Sequence, residues 1–304
     1  MSKTVWNRYF FGLALITTLM LLVWIAGVNA GAQTATTGEW TANISSKDNS
    51  KINLNFERRS NKGHKNQMGQ SYEFSELQGL SREQALSGGP VSFSLVREAG
   101  RIDCEGTFQN GKGSGTFRFT GNAAFVSAMK SRGFDFESRS GNDDTDHWEN
   151  KLFAATTLNV TTALADDLTS AFGKLQTDDL FKAAIFKVNS TFAREMKASG
   201  FENLDMEDLV KARIFKVDAD FVRQVSQMGF NKEPFESLVK MQIFKVTPEF
   251  INEVRNEGLT NVAVEELVKL RIFKIDGEFI RKVRSEGGSV DVESLVQRKI
   301  FARR

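Results

Sequence analysis

The residues able to do chemistry are few and scattered. Adjacent carboxylates stand at Asp166 with Asp167 and at Asp178 with Asp179, and paired acids are the usual equipment of general acid–base catalysis. Both pairs sit at the starts of helical patterns, where acids serve as caps or as partners of the positive end of the helix dipole. Asp143, Asp144 and Asp146 suggest a calcium loop, but the ligand spacing and closing glutamate of an EF-hand are missing, and a linker is the better reading. The two histidines, His64 and His147, stand in polar stretches without a second metal-ligand type at useful spacing. Serines at 45, 46, 71, 75, 92 and 94 have no G-x-S-x-G elbow and no histidine in a recognisable motif. The expectation is a non-enzymatic protein with no metal and no cofactor.

The remaining reactive residue is Cys104, the single cysteine. An intrachain disulfide is ruled out, so packing must stabilise the fold. A small apolar residue buried in a strand is the plain reading, with a reactive or intermolecular thiol as the alternative. The 40 basic residues against 38 acidic ones leave a formal charge of +2, so no global field draws the chain to nucleic acid or to an anionic surface. Any charged partner must be met locally.

The elements that would carry a site fall into blocks. Residues 1–32 hold Lys3 and Arg8, an apolar run from Phe10 to Val28, and Ala30-Gly31-Ala32. That order is an export signal with an A-x-A cleavage pattern. The run is also nearly long enough to cross a hydrocarbon layer of roughly 30 Å. Two outcomes fit: a removed signal peptide, or a retained single-span anchor with residues 33–304 outside. The chain is thus expected to be periplasmic or extracellular, touching membrane only through this segment if it is uncleaved.

Residues 38–120 alternate apolar and polar in short runs such as "KINLNFERR", "VSFSLVREAG" and "GTFRFTG", the strand-and-hairpin signature. Ile52, Leu54 and Phe56 share a face, as do Phe93 with Leu95 and Phe117 with Phe119. Residues 121–151 combine "NAAFVSAMKSRGF", which matches a helix of the later repeats, with an acidic linker.

Residues 152–304 repeat. Leu152, Leu180, Leu209, Leu238, Leu267 and Leu295 recur at about 29 residues, a period that means stacked supersecondary units. Each unit reads as two short helices. Asn189, Asp218, Thr247 and Asp276 are N-caps of the second helix, Pro248 suits its first position, and Gly200, Gly229, Gly258 and Gly287 fall just past its end. On the first helix Leu209, Val210 and Ile214 are expected to cover one face, with Phe215 about 100° further round. Phe186, Phe215, Phe244, Phe273 and Phe301 are therefore expected to form a ladder between units, or failing that an exposed aromatic ridge able to bind.

Lysines repeat as well. Lys182, Lys211, Lys240 and Lys269 follow the anchoring leucine by two, while Lys187, Lys216, Lys245 and Lys274 end the first helix. Glu207, Asp208, Glu236, Glu265 and Glu266 open that helix. Anions first and cations last is what the helix dipole favours. The alternative is a basic stripe along one edge, which would make Lys211, Lys240, Lys269, Lys216, Lys245 and Lys274 partner-binding residues. The fold class expected is α+β, a small antiparallel sheet or sandwich followed by an α-hairpin repeat array resembling a solenoid.

The succession "GPVSFSLVREAGRIDCEGTFQNGKGSGTFRF", "FVSAMKSRGF" and then copies of "LVKxxIFKVxxxFxxxVxxxG" resembles the extracytoplasmic region attached to some bacterial membrane metallopeptidases of the BlaR/MecR-like antibiotic-sensing type. The resemblance spans nearly all of the chain after residue 32 and implies an extracytoplasmic, regulatory or protein-binding role. The departure is that no His-Glu-x-x-His occurs, so peptidase activity does not carry over. The function expected is a non-enzymatic exported interaction or sensor-accessory module whose partner is another protein or an envelope component. The alternatives are an enzyme of another class and a helix-hairpin-helix-like nucleic-acid binder. Against the latter, the junction offers Lys-Val or Lys-Ile where such modules offer phosphate a glycine-rich turn.

Overall fold

The computed structural model describes residues 36–45, 48–59, 65–137, 147–231 and 233–301. The segment 1–32, His64, and Asp143, Asp144 and Asp146 lie outside them. The chain divides into two units, Met1–Val126 with Glu137–Thr157, and Ser127–Phe136 with Leu158–Arg304. Among the described residues no helix is long and apolar enough to cross a membrane.

Seven strands make the first unit: β1 (Thr36–Ile44), β2 (Lys51–Arg59), β3 (Lys65–Glu73), β4 (Leu77–Gln78), β5 (Gly89–Arg97), β6 (Gly100–Gln109) and β7 (Lys112–Gly121). Of the two forms the sequence allows, sheet or sandwich, they take the first: one antiparallel sheet in the order β3-β2-β1-β7-β6-β5-β4. Tight turns set the registers: Arg97 pairs with Gly100 and Gln109 with Lys112. Asn110 and Gly111 both take positive φ, 51° and 75°, as a two-residue hairpin turn requires.

The sheet must curl, and its connectivity says why. Laid flat, seven strands about 4.8 Å apart would put the outer two roughly 29 Å from each other. Yet those two, β3 and β4, are joined by one 3-10 turn, Phe74–Glu76, which reaches only about 10–14 Å. Closure brings the alternating apolar faces inward, so Ile52, Leu54, Phe56, Phe93, Leu95, Ile102, Phe117 and Phe119 are all buried. Aromatic rings fill the interior. Trp40 meets Phe93 edge-on at 5.2 Å and Phe108 at 5.6 Å, and its indole N–H donates to the Glu105 carbonyl at 3.2 Å. Gly113 makes room for Phe108, since a Cβ there would stand 2.6 Å from the ring. Toward the other end Phe153 stacks on Phe117 at 5.4 Å and meets Phe119 edge-on at 5.3 Å.

Helix α1 (Arg82–Ser87) starts at a capping box between Ser81 and Gln84; α2 (Ala123–Ser131) and α3 (His147–Leu158), which carries Phe153, follow. The second unit continues with α4 (Thr162–Phe172), α5 (Thr177–Phe186), α6 (Ser190–Ala198), α7 (Met206–Phe215), α8 (Ala219–Gln227), α9 (Phe235–Ile243), α10 (Pro248–Asn256), α11 (Val264–Ile272), α12 (Gly277–Ser285) and α13 (Val292–Phe301). Helices this short do not persist alone in water. Here they stack in two files: α5, α7, α9, α11 and α13 each touch the next, and α4 touches α6 as α10 touches α12. The anchoring leucines Leu180, Leu209, Leu238, Leu267 and Leu295 are at most 2 % exposed.

The start and stop chemistry is that expected from the sequence. Asn189, Asp218, Thr247 and Asp276 accept from the backbone N–H three residues on, at 2.8–3.3 Å. Gly200, Gly229, Gly258 and Gly287 take φ of 101°, 93°, 89° and 73°. In the sequence these junctions are recognisable from Asn189 onward, but Asn159-Val160-Thr161 repeats them one unit earlier. Asn159 is left-handed at φ 56°, Val160 is buried, and the Thr161 hydroxyl accepts from Leu164 N–H at 3.0 Å.

Candidate interaction surface

Among the described residues, the catalytic groups considered from sequence do not assemble. Among the described residues no three His, Cys, Asp or Glu side chains gather as metal ligands would. Cys104 is 1 % exposed, and burial pushes its thiol well above the ordinary range, which keeps it from ionising. Asp166 pairs with Arg132 at 2.7 Å. Asp167 accepts from the Ser190 backbone N–H at 2.8 Å and from its hydroxyl at 2.5 Å, so these adjacent acids tie helices together. On the sheet's outer face the Ser94 hydroxyl donates to Asp103 at 2.6 Å while Arg101 donates to both. That network is closed: the guanidinium occupies a lone pair a nucleophilic serine would need.

The repeated lysines separate into two series of different character. Lys182, Lys211, Lys240 and Lys269 reach across to Glu207, Glu236, Glu265 and Glu293 of the following unit, at 2.5 Å for Lys211 and 2.6 Å for Lys240. The carboxylates beside Lys182 and Lys211 hold those ammonium groups above the ordinary lysine range. Lys211, Lys240 and Lys269 are thus neutralised between units instead of forming an open basic stripe. In sequence, glutamate at the first turn of each first helix reads as a dipole partner; its recurrence 24–25 residues beyond the preceding lysine is the signal for a bridge.

The second series is exposed. Lys187, Lys216, Lys245 and Lys274 all adopt the left-handed conformation, φ 59°, 59°, 56° and 55°. The residue after each, Val188, Val217, Val246 or Ile275, is buried and returns its N–H to a carbonyl five residues back at 2.7–3.0 Å. This is the helix-ending motif in which glycine normally occupies the left-handed place. For a lysine that conformation costs roughly 1–2 kcal/mol. Among the described residues none of the four has a carboxylate within ion-pair distance.

Immediately before each of these lysines stand an isoleucine and a phenylalanine. Ile185, Ile214, Ile243, Ile272 and Ile300 are 43–52 % exposed, which corrects the expectation that Ile214 shares a covered face with Leu209. At about 100° per residue it lies about 140° from Leu209, and about 40° beyond Val210, itself at the border of the buried arc. Phe186, Phe215 and Phe273 are half-buried, whereas Phe244 and Phe301 are exposed. Among the described residues no ring contact links one of these phenylalanines to the next, so the buried ladder is not what they form. The outcome is an apolar ridge, one Ile-Phe pair per unit, with a lysine after each of the first four.

Neighbouring units also meet through cations. Arg213 lies 3.7 Å over the Phe192 ring, Arg271 4.7 Å over Phe250 and Lys299 4.0 Å over Phe279. The Gln242 amide donates to the Lys216 carbonyl at 2.9 Å and Arg271 to the Phe244 carbonyl at 3.2 Å. One inter-unit groove holds a recess of about 250 Å³ lined by Phe244, Arg271, Lys274, Ile275 and Asp276. It sets an aromatic wall beside two cations and one carboxylate, Asp276, which is bonded to the Phe279 N–H of its own helix. No family model, curated protein or solved structure matches the chain.

Proposed function

We propose that this protein is an exported, non-enzymatic interaction module that holds another protein or an envelope component along the Ile-Phe-Lys edge of its helical repeats. The observation that carries the reading is the row of five half-exposed isoleucines. Exposed apolar groups recurring along one edge mark interaction surfaces in soluble proteins, and stacked helix pairs commonly bind through such repeated edges. Export rests on the apolar N-terminal segment, and a regulatory or sensor-accessory role on the resemblance to the metallopeptidase-attached regions. The enclosed aromatic interior of the sheet favours a structural part for that unit.

The test is crosslinked capture from envelope extract with the full chain beside two variants. In Ile214→Ser/Ile243→Ser/Ile272→Ser the ridge becomes polar; in Lys211→Met/Lys240→Met/Lys269→Met the inter-unit bridges are cut and the ridge is kept. A partner held by the wild type and by the second variant but lost by the first is the expected result. Equal capture by all three removes the ridge as the binding surface.

A further inference from the structure

We propose that the grooves along this edge take an extended peptide with an acidic side chain at every third residue, one carboxylate entering each inter-unit groove. The inference rests on the ridge being the contact surface and adds the chemistry of what it contacts.

Charge selects an anion. Each groove can draw on the left-handed lysine of one unit, and Arg213, Arg271 or Lys299 adds a second cation in three of them. In the recess beside Phe244, Arg271 and Lys274 line the same space. The neighbouring acids are engaged by their own helices: Asp218 accepts from Phe221 N–H and Asp276 from Phe279 N–H, each at 2.8 Å, and Asp220 pairs with Arg223. The other lysine series is already neutralised by glutamate. The exposed apolar ridge is thus flanked in every one of these four units by a lysine that no carboxylate among the described residues neutralises. Holding lysine in a backbone conformation that suits glycine, in all four units, ties the side chain itself to this edge.

Spacing selects the peptide's form. Packed helices lie about 9 Å apart, so successive grooves recur at about that interval. Three residues of a polyproline-type strand make one turn, cover about 9 Å and bring the side chain back to the same face. An acidic residue at every third position therefore meets a cation in each groove, while an apolar residue between them lies against the isoleucine and phenylalanine. A flat anionic lipid surface offers charge without that register.

Fluorescence anisotropy of the full chain with labelled synthetic peptides tests this. The (Glu-Ile-Pro)5 peptide is compared with (Glu-Ile-Pro-Ser)5, which has the same glutamates at a four-residue period, and with (Lys-Ile-Pro)5. The expected result is binding of the first, about tenfold or more tighter than the second, and none of the third. Lys187→Glu/Lys216→Glu/Lys245→Glu/Lys274→Glu, with an unchanged circular dichroism spectrum, loses it. Equal affinity for the two acidic periods, indifference to charge reversal, or binding of phosphatidylserine vesicles in place of peptides overturns the inference. Should no peptide bind while the serine variant still loses its crosslinked partner, this inference falls and the ridge reading stands; loss of both results removes both.

Discussion

Replacing Lys216 with glycine should make the protein more stable, because the backbone there already has the shape glycine prefers. Lys216 sits at φ 59° at the end of α7, with Val217 N–H bonded back to Ala212 at 2.8 Å. Relief of the left-handed strain returns roughly 1–2 kcal/mol. The greater freedom of glycine in the unfolded chain takes back roughly 0.5–1 kcal/mol. The net gain is about 0.5–1 kcal/mol, or a rise of roughly 1–4 °C in the melting of a unit of this size. Sites in successive units are far enough apart to add, so the fourfold variant at Lys187, Lys216, Lys245 and Lys274 should gain about 2–4 kcal/mol. Residues 158–304 contain no tryptophan, so the melt is followed by circular dichroism at the helical band. Lys216→Asn should fall between wild type and glycine, as Asn159 already occupies the same place at φ 56°. Equal or lower stability in the glycine variants would refute the reasoning, since it would mean that the lysine stems pack and that their conformation carries no cost. Gained stability with weakened acidic-peptide binding is the combination expected of a side chain retained for contact.

Other consequences are more local. Lys211→Met should lower the melting temperature slightly, and the difference from wild type should close between about 50 mM and about 1 M salt, because the pair with Glu236 is exposed and screened. Gly113→Ala forces a methyl against the Phe108 ring and should destabilise the sheet by about 1–3 kcal/mol, read by Trp40 fluorescence. Asp167→Ala leaves the Ser190 N–H and hydroxyl without their acceptor and should cost about 1–3 kcal/mol, measured by urea denaturation. Hydrogen bonds from Ser190 hold Asp167 below its ordinary range, Arg132 does so for Asp166, and Arg281 and Arg284 do so for Glu257. Their contribution is complete above the unfolded carboxylate pKa of about 4 and fades as pH falls through the lowered folded values. Lys182 and Lys211, raised by Glu207 and Glu236, contribute below about pH 10 and lose it as pH rises through their folded values. The buried Cys104 thiol, held above its ordinary range, adds a loss of stability as pH rises through the unfolded thiol pKa of about 8.5. Stability should therefore be flat from about pH 5 to about pH 8; a fall beginning near neutrality would contradict these assignments.

What could be read from sequence was whatever depends on residues close together. Asn189 and Gly200 bound a helix through hydrogen bonds that stay within about one turn of it, so their types alone announced its start and stop. The inward set of the sheet was legible from alternation for the same reason. Strand β3 was legible only at its end, where "SYEFSEL" alternates; the preceding "KNQMGQ" carries little alternation, as an edge strand paired only with β2 can. The joining of the two runs of hairpins into one sheet depends on pairing its first strand with its last, β1 with β7, which no local pattern encodes. The exposure of Ile214 was hidden because it turns only slightly past Val210, where the buried arc ends. Lys211 looked like a free cation because its glutamate belongs to the next unit, beyond any spacing within one helix.

The bridges from Lys182, Lys211, Lys240 and Lys269 have a mechanical consequence. Each unit is fastened to the next by contacts no more than about one period long in sequence, so the far end of the array can be pulled away without disturbing the sheet. Under tension the helix pairs should peel off one at a time, like links of a chain, each releasing about 29 residues and roughly 100 Å of extended length. A load on a partner held along the edge would be relieved one groove at a time.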